Sequence, residues 1–246
     1  MVEEHRGDLH VHTCLSPCGD LSMLPRAIIR MAKEKNLDII GICDHNSTAN
    51  VMAVKKVGQK EGMAVIGGIE ITSQEEVHIM ALFDNEDALA HIQEIVYEHL
   101  PGTNDEDAFG EQVVVDEADE VVALNEKLLI GATTLMIDEV VSLIHQLGGV
   151  AIASHVDREA FSIIGQLGFI PEGLALDALE VSARSTISET RKKFPQVKNF
   201  PLVSFSDAHY PEDIGKRSTS FLIEKPSVME IQKAIHGIEG RMVLGG

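Results

Sequence analysis

Apolar residues along this chain gather in short dense runs, and between the runs they recur every third or fourth position. "GDLHVHT" (7–13) alternates apolar and polar residues and predicts a strand, and "LPRAIIRMAKEKN" (24–36) has helical spacing. "LDIIGICDHN" (37–46) is the continuous apolar run of a strand covered on both faces, and "STANVMAVKKVGQKEG" (47–62) predicts a helix ended by Gly62. "MAVIGGIEITS" (63–73) and "EEVHIMALF" (75–83) predict two strands close enough to pair as a hairpin, with a helix in "EDALAHIQEIVYEHL" (86–100). Further on, helices are predicted in "TLMIDEVVSLIHQLGG" (134–149), "AFSIIGQLGF" (160–169), "TISETRKKFP" (186–195) and "SVMEIQKAIHG" (227–237). The last two carry capping boxes at Thr186/Glu189 and Ser227/Glu230. Strands alternate with them in "VAIASHVD" (150–157), "DALEVS" (177–182), "FPLVSFSDAHY" (200–210) and "STSFLIE" (218–224).

Strands alternating with helices imply an α/β protein whose strands pair in parallel through crossovers. Six or seven such units fit a closed or nearly closed β/α barrel; periodicity alone leaves a doubly wound open sheet as the alternative. No linker or internal repeat divides the 246 residues, so residues 1–246 are read as one domain with an acidic insert at about 101–127. The insert opens with "PGTNDEDAFG" and sets nine acids against Lys127 alone, the composition of a solvated or partly disordered loop.

Charge narrows the partners. A net charge of −19 repels nucleic-acid phosphates and anionic membranes at long range, so long nucleic acid is not an expected partner. A small phosphorylated substrate is compatible with it, because metal ions reverse the field inside a cleft. The chain has no run of 18 apolar residues, so no membrane span is expected, and the acidic "MVEEHRGD" start is unlike a secretory signal; the cytoplasm is the expected compartment. Three cysteines cannot close a disulfide framework. Cys14 and Cys18 lack the C-x-x-C redox spacing and have no second pair to complete a zinc site, so they are read as bystanders, with Cys43 packing as a small hydrophobe.

The informative chemistry lies where the predicted strands end. His10 and His12, Asp44 and His45, Glu70, His78, His155, Glu180, and Asp207 with His209 all fall on or at the ends of strands. Residues two apart on a strand face the same way, so His10 and His12 point together, as do Asp207 and His209. In parallel β/α folds the carboxyl ends of the strands form the floor of the active site. Neutral imidazoles and carboxylates converging there suit divalent cations. His5, His91, His99, His145 and His236 fit an ordinary structural or surface role.

These motifs, "DLHVHT", "CDHN", "GGIEIT", "VHIMAL", "IASHV" and "FSDAH", in this order, resemble those of the PHP (polymerase and histidinol phosphatase) superfamily, most closely its small stand-alone phosphoesterases. The resemblance implies a distorted (β/α)7 TIM-like barrel and a centre of two or three divalent ions (zinc, manganese or iron). Carried over by position, His10, His12, Glu70 and Asp207 would hold the first ion. Glu70 would bridge to a second, completed by His78 and His155, and Asp20, His45 and His209 would hold a third. Asp20 stands where some members have histidine, an oxygen ligand that favours manganese or iron. Asp8 and Asp44 would accept hydrogen bonds from ligand imidazoles, with Glu180 serving likewise. The chain departs from the pattern at "SHVDRE", where valine replaces a frequent proline, and in its acidic insert.

The implied function is a metal-dependent phosphoesterase that hydrolyses a small phosphorylated substrate, a phosphomonoester or nucleotide, with a metal-bound hydroxide. Glu70, Asp207 and His209 would serve the reacting centre, and Arg158 and Arg184 would grip phosphate oxygens, with Lys216 and Arg217 as weaker candidates. Two alternatives stay open: a non-catalytic metal-binding regulatory module, and a nuclease acting on short oligonucleotides.

Overall fold

The structure is a computed structural model and describes residues 1–245. Its first half runs β1 (Glu3–Val11), α1 (Pro25–Glu34), β2 (Ile39–Ile42), α2 (Val51–Glu61), β3 (Ala64–Thr72), β4 (His78–Phe83) and α3 (Glu86–His99). Three short elements follow, α4 (Glu106–Phe109), β5 (Val113–Val115) and β6 (Val121–Leu124). The second half holds α5 (Ile137–Gln146), β7 (Val150–Ala153), α6 (Ile163–Leu167), β8 (Ala178–Val181), α7 (Ile187–Lys193), β9 (Leu202–Ser204), β10 (Thr219–Ile223), α8 (Val228–His236) and β11 (Met242–Gly245).

β1, β2 and β3 pair in parallel, as do β7, β8 and β9. β4 runs antiparallel to both β3 and β7 and joins the two sets, through the hairpin predicted from its closeness to β3. Just past β9, Ala208 pairs in parallel with Val11: the His12 amide donates to the Ala208 carbonyl (3.0 Å) and the Ala208 amide to that of His10 (3.3 Å). Seven strands thus form a nearly closed barrel, the distorted TIM-like form expected, with the reversal of β4 as its distortion. β10 and β11 extend the sheet beyond β1.

Burial follows from this plan. Ile40, Ile69, Ile79, Val140 and Ile144 pack between the strands and the outer helices. Leu9, Ile66, Met80, Ile152, Val203 and Phe205 fill a second cluster with Ile231 and Ile235 of α8. Each such side chain contributes ~1.5–3 kcal/mol on burial. The start of α8 is held by Asp84, which follows β4, and its end by Asp177, which precedes β8. α8 therefore closes the end of the barrel where the parallel strands begin, and the other end stays open for chemistry. Gly62 ends α2 with φ 70°, as predicted. The Thr186/Glu189 box is complete; at α8 only half forms, because the Glu230 carboxylate pairs with Arg241 and the Glu224 amide.

The acidic insert is folded, contrary to the loop its charge predicts. β5 and β6 form a hairpin, and Val113 and Val115 are buried beside Cys14 and Leu24. The Asn50 side chain donates to the Val113 carbonyl (3.0 Å) and accepts from the Val115 amide (2.9 Å), adding two ladder-like bonds from the barrel. The acids point outward, while "QVVV" supplies the apolar anchor that a count of charges conceals.

Candidate metal centre

The open end gathers side chains from six strands or their trailing loops. His10 sits in β1 and His12 just beyond it; His45 follows β2, Glu70 lies in β3, His155 follows β7, and Asp207 and His209 follow β9. His78 opens β4, and because that strand is reversed, its first residue reaches the same end. A one-residue register shift between Asp8 and Val11 marks a bulge in β1 beside the centre. His155 (φ 30°) and Asp207 (φ 51°) adopt left-handed backbone, which is uncommon for non-glycine residues.

Hydrogen bonds fix which imidazole nitrogens face inward. His10 donates from Nδ1–H to the Glu180 carboxylate at 3.0 Å. Ser16 Oγ donates to Asp44 (2.7 Å) and so accepts from His12 Nδ1–H (2.9 Å). Both Nε2 atoms then carry lone pairs, yet they lie 3.2 Å apart with Asp207 Oδ1 3.1 Å from one of them. Neutral rings placed in this way aim converging lone pairs at one position, where a cation can bind. Glu70 makes the same point: it is fully buried and neither oxygen has a hydrogen-bond partner. Imidazole nitrogens of His45 (3.0 Å), His10 and His78 (3.3 Å), and His12 and His155 (3.6 Å) surround it. Ligand atoms ~2.0–2.2 Å from one tetrahedral ion lie roughly 3.3–3.6 Å from one another. The contacts of His10 and His12 with Glu70 and Asp207, at 3.1–3.6 Å, fit that spacing. The buried nitrogens, the carboxylates and the spacing together fit divalent ions.

The sequence profile of the PHP domain matches residues 8–172. The chain belongs to the PHP domain family. The Methanocaldococcus jannaschii protein MJ1587 is 36% identical over 90 residues, covering 33% of this chain and 52% of that protein. A phosphoribosyl 1,2-cyclic phosphate 1,2-diphosphodiesterase of Eggerthella lenta is 30% identical over 88 residues, covering 34% of this chain and 32% of that enzyme. The matches thus span about half of the first relative's length and a third of the second's. Among solved structures, the lesion-specific endonuclease PfuEndoQ of Pyrococcus furiosus superposes with a TM-score of 0.70 at 20% identity. That superposition covers 98% of this chain and 58% of the endonuclease, a likeness of fold.

Charge in the PHP centre is tightly coupled. Burial opposes every ionised group, yet Glu70 is held well below the usual carboxylate range by His78 and His10, and Asp207 by His10 and His12. His10 is drawn well above the usual imidazole range by Glu180, Glu70 and Asp207, which outweigh burial. His12 goes the other way, lowered by burial and by His209 and His45, and burial brings His78 down to about 4 against the pull of Glu70. The acids' attraction for protons on His10 is the attraction a dication would feel.

Eight of the nine PHP ligands expected from the sequence stand at this end of the barrel. Asp20 does not join them: its carboxylate accepts from the Ser22 amide and hydroxyl, and only its backbone reaches His209. Cys18, read as a bystander, lies nearer the imidazoles, with Sγ 3.2 Å from His45 Nε2. Burial would raise this thiol; the two imidazoles outweigh it and bring it down to about 6. The signal for Cys18 is its position in the turn directly after the H-x-H strand. Glu180 contacts a ligand imidazole as expected, and Asp44 does so through Ser16. Asp8 does not; it accepts the Ser206 and Gly215 amides and so shapes the Asp207 loop.

The cleft above the centre has a volume of about 960 Å³. Arg158 and Arg184 line it as predicted, with Lys193, Phe161 and Tyr210. Arg158 Nη1 is 2.7 Å from Asp207, and Asp157 ties the two arginine-bearing loops by accepting the Ser182 amide and hydroxyl (both 2.7 Å). Lys216 and Arg217 are absent from the lining: Lys216 pairs with Asp213, and Arg217 donates to the Ser185 carbonyl. His145 and His236 both bind Asp177 at the closed end, the structural role expected for them. Among the described residues no helix is long and apolar enough to cross a membrane.

Proposed function

We propose that this PHP protein is a metal-dependent hydrolase of small phosphorylated molecules, phosphomonoesters or nucleotides. The observation that carries the reading is Glu70, a buried carboxylate without a hydrogen bond, ringed by five imidazoles. His10, His12, Glu70 and Asp207 would hold one ion, Glu70, His78 and His155 a second, and His45 and His209 part of a third. Zinc, manganese and iron all suit such nitrogen and oxygen donors. When bound, these ions supply Lewis acidity toward the phosphate and activate water for attack.

The chain's own groups supply the rest. Arg158, Arg184 and Lys193 would grip non-bridging phosphate oxygens from one wall, the arginines by two-pronged contacts. Glu180 and the Ser16–Asp44 pair hold His10 and His12 with Nε2 turned inward, and His209 is fixed by donating from Nδ1 to the Asp207 carbonyl (2.9 Å). Phe161 and Tyr210 give the alcohol portion of the substrate an apolar flank.

A nuclease acting on oligonucleotides is the second reading, favoured by the fold likeness to an endonuclease over 98% of the chain. A net charge of −19 weighs against long nucleic acid. One screen separates the readings. The protein, analysed for bound metal and then supplied with manganese or zinc, is offered nitrophenyl phosphate, nucleoside monophosphates, histidinol phosphate and short oligonucleotides. Phosphate release from a monoester supports the proposal, and cleavage of oligonucleotides alone supports the nuclease. A fully metallated protein inert toward all of them would sink both and leave a binding module.

A further inference from the structure

The loop after β1 turns sharply: the Gly19 amide donates to the Ser16 carbonyl (2.8 Å), and a Cβ at Gly19 would meet the Thr13 carbonyl oxygen at 2.5 Å. This turn lays Cys18 against the imidazoles and leaves the Asp20 carboxylate on Ser22. We propose that Cys18 Sγ, with His45 and His209, is a ligand of the third ion, in the role that position would otherwise assign to Asp20. The inference rests on the metal-centre reading above and concerns which of this chain's atoms complete it.

Three observations carry it. The Cys18 Sγ to His45 Nε2 distance is 3.2 Å, close to the roughly 3.5 Å that separates sulfur and nitrogen ligands on one tetrahedral ion. Independently, His12, His45 and His209 form a group whose ligand atoms all lie within 4.8 Å of one another, and Cys18 lines the cleft beside the last two. His45 turns Nδ1 toward Glu70 (3.0 Å) and so presents Nε2 to Cys18. The other two thiols cannot serve: Cys14 and Cys43 are buried against the Val113 and Leu9 carbonyls, outside the cleft.

A sulfur ligand changes what the site selects. Thiolate favours zinc or ferrous iron over manganese and magnesium, whereas the nitrogen and oxygen donors of the first ion accept manganese. The centre would then be mixed, with a thiophilic ion at the rim and a more permissive pair beneath.

Cobalt(II) tests this in the full-length protein, because a cysteine ligand produces a near-ultraviolet sulfur-to-cobalt charge-transfer band. The cobalt-loaded wild type should show the band. Cys18→Ser should lose the band and about one ion per chain by elemental analysis, with its far-ultraviolet circular dichroism unchanged. Asp20→Asn should keep both, and Cys18→His should recover the ion without the band. Cobalt bound at full stoichiometry in the wild type with no such band would overturn the Cys18 assignment alone. So would loss of the ion from Asp20→Asn but not from Cys18→Ser. A wild type that retains no cobalt in any position would overturn the metal centre and this assignment with it. Should Cys18→Ser fail to fold, the wild-type band and the Asp20→Asn ion count still decide.

Discussion

Replacing Glu70 by glutamine keeps the shape of the side chain and removes its charge from the middle of the centre. Glu70 belongs to two of the three ligand groups, with His10 and His12 and with His45 and His78, and His155 lies 3.6 Å from it. Its loss should therefore release about two ions per chain and spare the one near Cys18. An ion present at ~1,000 times its Kd stabilises the fold by ~4 kcal/mol. In a chain of this size each kcal/mol moves the Tm by ~2–4 °C, so one ion raises it by ~8–16 °C. The wild type, melted by calorimetry with and without a chelator, should show at least that difference. Glu70→Gln should lose most of it, and phosphate release should fall to background. A variant that keeps the full ion content, with a metal-dependent Tm gain equal to the wild type's, would refute Glu70 as the bridging ligand.

Other changes probe the supports. Glu180→Gln leaves His10 Nδ1–H with a weaker acceptor and should cut metal affinity ~10–100-fold, read by competition with a chromophoric chelator. Arg158→Ala should lower kcat/KM for a monoester ~10²–10³-fold while ion content holds, measured by steady-state kinetics and elemental analysis. Asp8 is fully buried, and burial raises its carboxyl to about 6 against the opposing Ser206 and Gly215 bonds. A raised carboxyl adds stability below its unfolded pKa of 3.8 and loses it as pH rises through about 6, roughly 3 kcal/mol in all. In chelator, urea melts of Asp8→Asn should lack that decline between pH 4 and 6. Asp177→Ala should cost ~2–4 kcal/mol by breaking the bonds that tie His145, His236 and the Ala151 amide, with metal content unchanged.

The sequence made the barrel legible because β2 and β7 are apolar throughout and the candidate ligands fall on or at the ends of the barrel strands. The reversal of β4 was readable too: only a short link separates it from β3, too little for a helical crossover. Glu180 and the H-x-H pair stood out by placement at strand ends. Cys18 did not, since its spacing from Cys14 matches no thiol motif and its partners, His45 and His209, lie far away in the chain. Asp20 misled for the related reason that position in a motif does not say where a loop turns its side chain. Lys193, the last residue of α7, enters the cleft with no local signal at all. In the insert, net charge hid Val113 and Val115, which fasten it to Asn50 and Leu24.

The pairing of Val11 with Ala208 has a kinetic consequence. His12 and Asp207, 195 positions apart, meet only after that pairing forms. Contacts so distant in the chain form late, because closing a long loop is slow. During synthesis His10 and His12 emerge long before their carboxylate partner, and a chain halted short of Asp207 lacks it. Capture of the first ion would then report completion of the barrel, and metal scarcity would act on newly made molecules more than on mature ones.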